Sequence, residues 1–130
     1  MIFLDSSAIV KLARREAESD ALRAWLAVRR SAPLVASALV RSETARALQR
    51  GEPAALPLLP AVLAVLHQKP VTDAILDAAA RLPGETLRSL DAIHLATAEQ
   101  LRVGLDWFVA YDKRLHEAAS MRGLPAVAPA

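Results

Sequence analysis

Asp5, Glu43, Asp91 and Asp112 are carboxylates in places that a purely structural design does not obviously require. Asp5 follows the apolar run Met1-Ile2-Phe3-Leu4, so it ends a buried strand where solvation is poor. Glu43 falls within a helical stretch; Leu39, Val40 and Ala47 stand at helical spacing around it, which sets it on or beside the apolar stripe. Asp91 comes two residues after Ser89, with Leu95 and Ala98 on its own face. Asp112 follows Trp107-Phe108-Val109-Ala110-Tyr111. Each acid has an ordinary explanation. Asp5 and Asp112 can cap the helices that follow them, and Asp91 gains from the dipole of its own helix. Glu43 can sit at a boundary, paired with Arg46 or Arg50. One shared divalent cation accounts for all of them at once. Mg²⁺ and Mn²⁺ prefer oxygen ligands, and an oxygen cluster without cysteine suits phosphodiester hydrolysis better than a zinc site. In a two-metal scheme the ions stand ~3.5–4 Å apart. Spacing alone leaves open whether the side chains meet. His94 reads either as a further ligand or, preferably, as a hydrogen-bonded core histidine. Asp106 precedes its strand at the opposite end and is excluded, and Asp73 and Asp77 read as first-turn and solvent-face acids.

The elements that must position these acids alternate in type. A strand is expected over 2–5, with Ser6 or Ser7 capping a helix to about Arg15. A second helix runs from about Glu18 to Arg30 on the spacing of Leu22, Trp25 and Leu26. Pro33 stops it, Leu34-Val35-Ala36 is the next strand, and Ser37 caps a helix through about Arg50, closed by Gly51. Residues 53–66 read as one helix with Pro53 in its first turn and a kink at Pro60. Lys69-Pro70-Val71 is a short strand, and Thr72 caps a helix to about Leu82. Ser89 caps a helix to about Arg102, Trp107-Phe108-Val109-Ala110 is a strand, a helix runs from Asp112 to Met121, and Pro125-Ala126-Val127 is an edge strand. This order predicts an α/β sandwich around a mostly parallel sheet of four to five strands. Ligands gather at the carboxyl ends of such strands, where Asp5 and Asp112 fall.

Composition narrows the function classes. A chain of 130 residues with no internal repeat makes a single domain over 1–130. The longest apolar stretches are broken by Pro53, Pro57, Pro60, His67 and Lys69, so no membrane span is expected. The N-terminus meets Asp5 at once, unlike a signal peptide. Absence of cysteine excludes disulfides and thiolate chemistry and suits a reducing cytoplasm. A net charge of +2 is no polybasic coat, yet it allows a local basic face built from arginines.

Segments 2–12, Ser42-Glu43, 87–98 and 108–115 together resemble the PIN-domain ribonucleases, in particular the VapC-type toxins of toxin–antitoxin pairs. Gly123 through Pro129 resembles that family's closing segment. The resemblance implies an α/β/α domain in which Asp5, Glu43, Asp91 and Asp112 bind Mg²⁺ or Mn²⁺, with Ser6 or Ser7 nearby. It implies cleavage of RNA by metal-activated water, a homodimer, and a small antitoxin as partner. The family often carries Thr or Ser two residues before the fourth acid, where this chain has Ala110.

Three other readings stand beside this one. The first is a catalytically inert PIN-like module that binds RNA or protein. The second is a phosphatase or phospho-acceptor using Asp5 as nucleophile; Ser7 occupies the place where a dehalogenase-type phosphatase carries its second acid. The third is an interaction protein without chemistry.

Overall fold

The computed structural model describes all residues from Met1 to Ala130. The sheet is built on β1 (Ile2–Leu4), whose three side chains are wholly buried. Around it stand β2 (Leu34–Ser37), β3 (His67–Lys69), β4 (Trp107–Val109) and β5 (Ala126–Val127). The order is β3-β2-β1-β4-β5, and every neighbouring pair is parallel. A central strand of a parallel sheet is covered on both faces, which is why Ile-Phe-Leu is continuous and not alternating. The two larger apolar cores divide accordingly. Ile2 and Leu4 face one with α1 (Ser6–Ala13), α2 (Ser19–Ala27) and α3 (Val40–Gly51); Phe3 faces the other with α6 (Ser89–Gln100) and α7 (Lys113–Met121). The expected α/β/α sandwich is the architecture found. No helix is long and apolar enough to cross a membrane.

Several expected boundaries shift for physical reasons. The first strand ends at Leu4, and Asp5 itself is the cap of α1, in place of Ser6 or Ser7. Ser37 ends β2 and is buried; its Oγ accepts from Leu39 N, while the cap position of α3 falls to Leu39 with no side-chain cap. The stretch 53–66 is not one helix. Pro57 supplies no N–H, so Pro53–Leu58 forms a 3-10 turn, and α4 (Leu59–Ala64) starts afresh with Pro60 in its first turn. The third strand lies earlier than Lys69–Val71, because Pro70 cannot extend the ladder that pairs Val35 with His67. Helix α5 (Asp73–Ala80) takes the expected Thr72 cap, whose Oγ1 accepts from Ile75 N. Ser89 is the first residue of α6, and Arg88 takes the cap position without a side-chain bond. Asp106 sits at the far end of β4, paired with the N-terminal amine at 2.5 Å, as its exclusion required.

Helix α7 is closed by a Schellman turn. Leu124 N donates to Ala119 O at 3.0 Å and Gly123 N to Ser120 O at 2.9 Å. Gly123 has φ +76°, and Leu124 and Ala119 meet in the core. Gly123→Ala is therefore expected to cost about 1–2 kcal/mol. Thermal melting should show this as a fall of a few degrees; an unchanged melting temperature would contradict it.

Candidate active site

The carboxyl ends of β1 and β4 lie side by side, with Leu4 opposite Val109. The chain leaves each strand through an acid that caps the next helix. Asp5 Oδ1 accepts from Ala8 N at 2.9 Å and from Ser7 Oγ at 2.6 Å. Asp112 Oδ1 accepts from Leu115 N at 3.0 Å. Both capping explanations are thus realised, but each uses one carboxylate oxygen only. No hydrogen bond reaches Asp5 Oδ2 or Asp112 Oδ2. Ser7 ties the two strand ends together, because its Oγ also accepts from Tyr111 N at 2.9 Å.

Glu43 shows the same division. Val40, Thr44 and Leu48 form the buried face of α3, and Glu43 stands at its flank. Its Oε1 accepts from Ser6 Oγ at 2.8 Å and contacts His94 Nε2 at 2.5 Å, while Oε2 accepts nothing. The expected pairing with Arg46 or Arg50 is absent: neither arginine forms an ion pair. Both line a shallow cleft of about 460 Å³ together with Ser6, Ser7, Glu43 and Leu90. Glu43 alone of the four acids lines that cleft. His94 is buried as expected, but only half satisfied, since Nδ1 has no partner.

The acids feel one another. Burial pushes the Asp5 carboxyl up to about 6; the bonds from Ser7 and Ala8 and the charge of His94 pull it back, and the charge of Asp91 raises it further. Asp91 is raised by burial, then by the charges of Asp112 and Glu43, against the opposing His94 and Arg88. For Glu43, burial works upward, but the hydrogen bond and charge of His94 and the bond from Ser6 outweigh it and hold the carboxyl below its ordinary value. Asp91 thus lies within the field of the other three acids, and Asp5, Glu43 and Asp112 keep unused oxygens.

A model of the PIN domain family matches residues 2–121. The chain belongs to the PIN-domain family. Within it the chain is of VapC type. Ribonuclease VapC35 of Mycobacterium tuberculosis is 47% identical over 99% of this chain and 97% of its own length. Ribonuclease VapC46 of the same organism is 48% identical over 98% and 97%. The crystal structure of M. tuberculosis VapC20, described as a sarcin–ricin loop cleaving toxin, superposes with a TM-score of 0.76 over 99% of this chain and all of its own, at 24% identity. That last likeness concerns the fold.

The donor set of this PIN domain can be tested against the ion that the family implies. No three Asp, Glu or His side chains close on one point as a ready-made cage. The four acids stand apart instead: Asp5 is buried at the end of β1, Glu43 lines the cleft, and Asp91 lies within electrostatic reach of Asp5, Glu43 and Asp112. Mg²⁺ keeps several of its waters and is usually held by one or two carboxylates plus substrate phosphates. A loose set of all-oxygen donors, with free oxygens on Asp5, Glu43 and Asp112, fits that habit. Ala110 is fully enclosed in the core, and the hydroxyl that reaches this strand end comes from Ser7. Sequence reasoning missed the contact of Ser6 and His94 with Glu43, which carries no local signal. The approach of Arg46 and Arg50 to the cleft was readable, since they follow Glu43 by three and seven residues on one helix.

Proposed function

We propose that this PIN domain is a Mg²⁺- or Mn²⁺-dependent endoribonuclease, the toxin of a toxin–antitoxin pair, with Asp5, Glu43, Asp91 and Asp112 as its metal-binding residues. One observation supports the reading: the acids come from separate elements, Asp5 and Asp91 are raised in part by acidic neighbours, and Asp5, Glu43 and Asp112 keep oxygens that the protein does not use. A bound divalent ion would supply Lewis acidity and would make a bound water more acidic and so a better nucleophile. The chain's own groups do the rest. Asp5, anchored through Oδ1 by Ala8 and Ser7, presents Oδ2 in a fixed direction. Glu43, held ionised by His94 and Ser6, offers charge at the mouth of the cleft. Arg46 and Arg50 stand in the same cleft with free guanidinium groups to hold RNA phosphates. The named ribonuclease relatives support RNA as substrate. Exposed Leu58, Val65, Val103 and Met121 offer apolar surface to a small antitoxin or to a second copy in a homodimer, acting in the cytoplasm.

The test uses the purified chain with total RNA and Mn²⁺, beside Asp91→Asn. Cleavage is expected in the first. It should fall by about a thousandfold or more in the second, the scale on which a catalytic unit fails when one member is removed. Full cleavage by Asp91→Asn would overturn the assignment. RNA bound by the wild type but never cleaved would mark an inert binding module.

A further inference from the structure

We propose that His94 is a positioning residue: with Ser6 it pins one oxygen of Glu43 and leaves the other turned out to the cleft, an inference that rests on the ribonuclease reading of this site. Three elements meet in the contact, Ser6 from α1, Glu43 from α3 and His94 from α6. His94 Nε2 lies 2.5 Å from Glu43 Oε1 and 3.3 Å from Ser6 Oγ, and Ser6 Oγ donates to the same Oε1 at 2.8 Å. An ionised carboxylate only accepts, so Nε2 carries the hydrogen. The ring is 1% exposed and edge-on to Phe3, with centroids 6.4 Å apart, so it cannot swing away.

Nδ1 of His94 is the one enclosed side-chain polar atom in the protein without a partner. Buried polar groups normally find partners. Here Nδ1 has no protein partner, while Nε2 makes a short, charge-assisted contact with Glu43. Glu43 needs such a restraint. It is a flexible side chain with Arg46 and Arg50 one and two turns along its own helix, both exposed and without ion pairs. Released from His94, it would turn along the helix toward those cations and withdraw its charge from Asp91.

His94→Met and His94→Gln separate this role from packing, since the two side chains match in length and only Gln donates. With a labelled oligoribonucleotide, His94→Met is expected to lower kcat by about 10–100-fold with KM nearly unchanged, and to weaken Mn²⁺ binding, read by electron paramagnetic resonance without RNA, by a similar factor. His94→Gln should recover most of both. Crystals of His94→Met should show Glu43 Oε1 parted from Ser6. Should that variant fail to fold, Ser6→Ala removes the other half of the clamp, and a loss of about tenfold is expected in kcat and in Mn²⁺ affinity. Wild-type kcat and Mn²⁺ affinity in His94→Met, equal losses in Met and Gln, wild-type values in Ser6→Ala where it stands in, or an unmoved Glu43 would each overturn the proposal. A wild type that neither binds Mn²⁺ nor cleaves RNA would instead defeat the ribonuclease reading, and the position of Glu43 in the His94→Met crystals then decides the role of His94 by itself.

Discussion

Asp5→Asn is expected to abolish RNA cleavage and, in chelator-treated protein at pH 7.5, to melt higher than the wild type. The two halves come from the two oxygens of one carboxylate. Asn keeps an oxygen that can accept from Ala8 N and Ser7 Oγ, and Asn is as good a helix cap as Asp. What it loses is the charge, which the fold holds at a disadvantage. Burial and the neighbouring Asp91 push the Asp5 carboxyl from 3.8 up to about 6. Between those values the folded state binds more protons than the unfolded state, so stability falls as pH rises through the window. Below about 4 nothing is lost. Above about 6 the full penalty stands, on the order of 3 kcal/mol for two pH units. Removing the charge should therefore recover roughly 1–3 kcal/mol, or several degrees of melting temperature. The difference should shrink as pH is lowered toward 4, where the wild-type carboxyl is itself neutral. Asp5→Ala relieves the same charge but strips the cap, which costs about 1 kcal/mol, so it should melt below Asp5→Asn. Cleavage in Asp5→Asn should drop by about a thousandfold or more. Wild-type cleavage, or a lower melting temperature than the wild type at pH 7.5 without metal, would contradict the account.

Mn²⁺ is expected to restore to the wild type what the crowded acids take away. An ion that binds only the folded chain stabilises it by about 2.7 kcal/mol at a concentration a hundred times its dissociation constant. For a domain of this size that is a rise of roughly 10 °C. Asp91→Asn should show almost none of that rise. Asp91 shares its field with Asp112 and Glu43, so its removal weakens the whole set rather than one member. A thermal-shift titration of both proteins, with EDTA to reverse it, measures the effect without knowledge of the RNA target. Equal shifts in the two proteins would place the ion elsewhere. No shift in the wild type, with cleavage indifferent to EDTA, would remove metal from the mechanism.

Much of the architecture was legible in the residues. The apolar run before Asp5 and the one before Asp112 marked the two strands that stand side by side, and Thr72 and Asp112 cap the helices expected of them. Prolines misled where their position mattered more than their presence. Pro57 breaks the stretch from Pro53, and Pro70 ends a strand it was expected to sit within.

The alternation of elements, the family, and the acids with no obvious structural need were readable from the residues alone. These depend on local periodicity, on the short range of capping, and on motif order along the chain. Which groups each acid bonds follows instead from the packing of separate elements. Asp5 and Asp112 each assign one oxygen to a helix cap and leave the other without a hydrogen bond, so capping does not use up either carboxylate. The partner of Glu43 was beyond local reasoning. Arg46 and Arg50 lie nearby on its own helix, yet Glu43 bonds to Ser6 and His94, 37 and 51 residues away along the chain. Helical spacing specifies neighbours within a turn or two; contacts between helices depend on how β1 and β2 bring α1, α3 and α6 together, and that follows from burying the sheet on both faces.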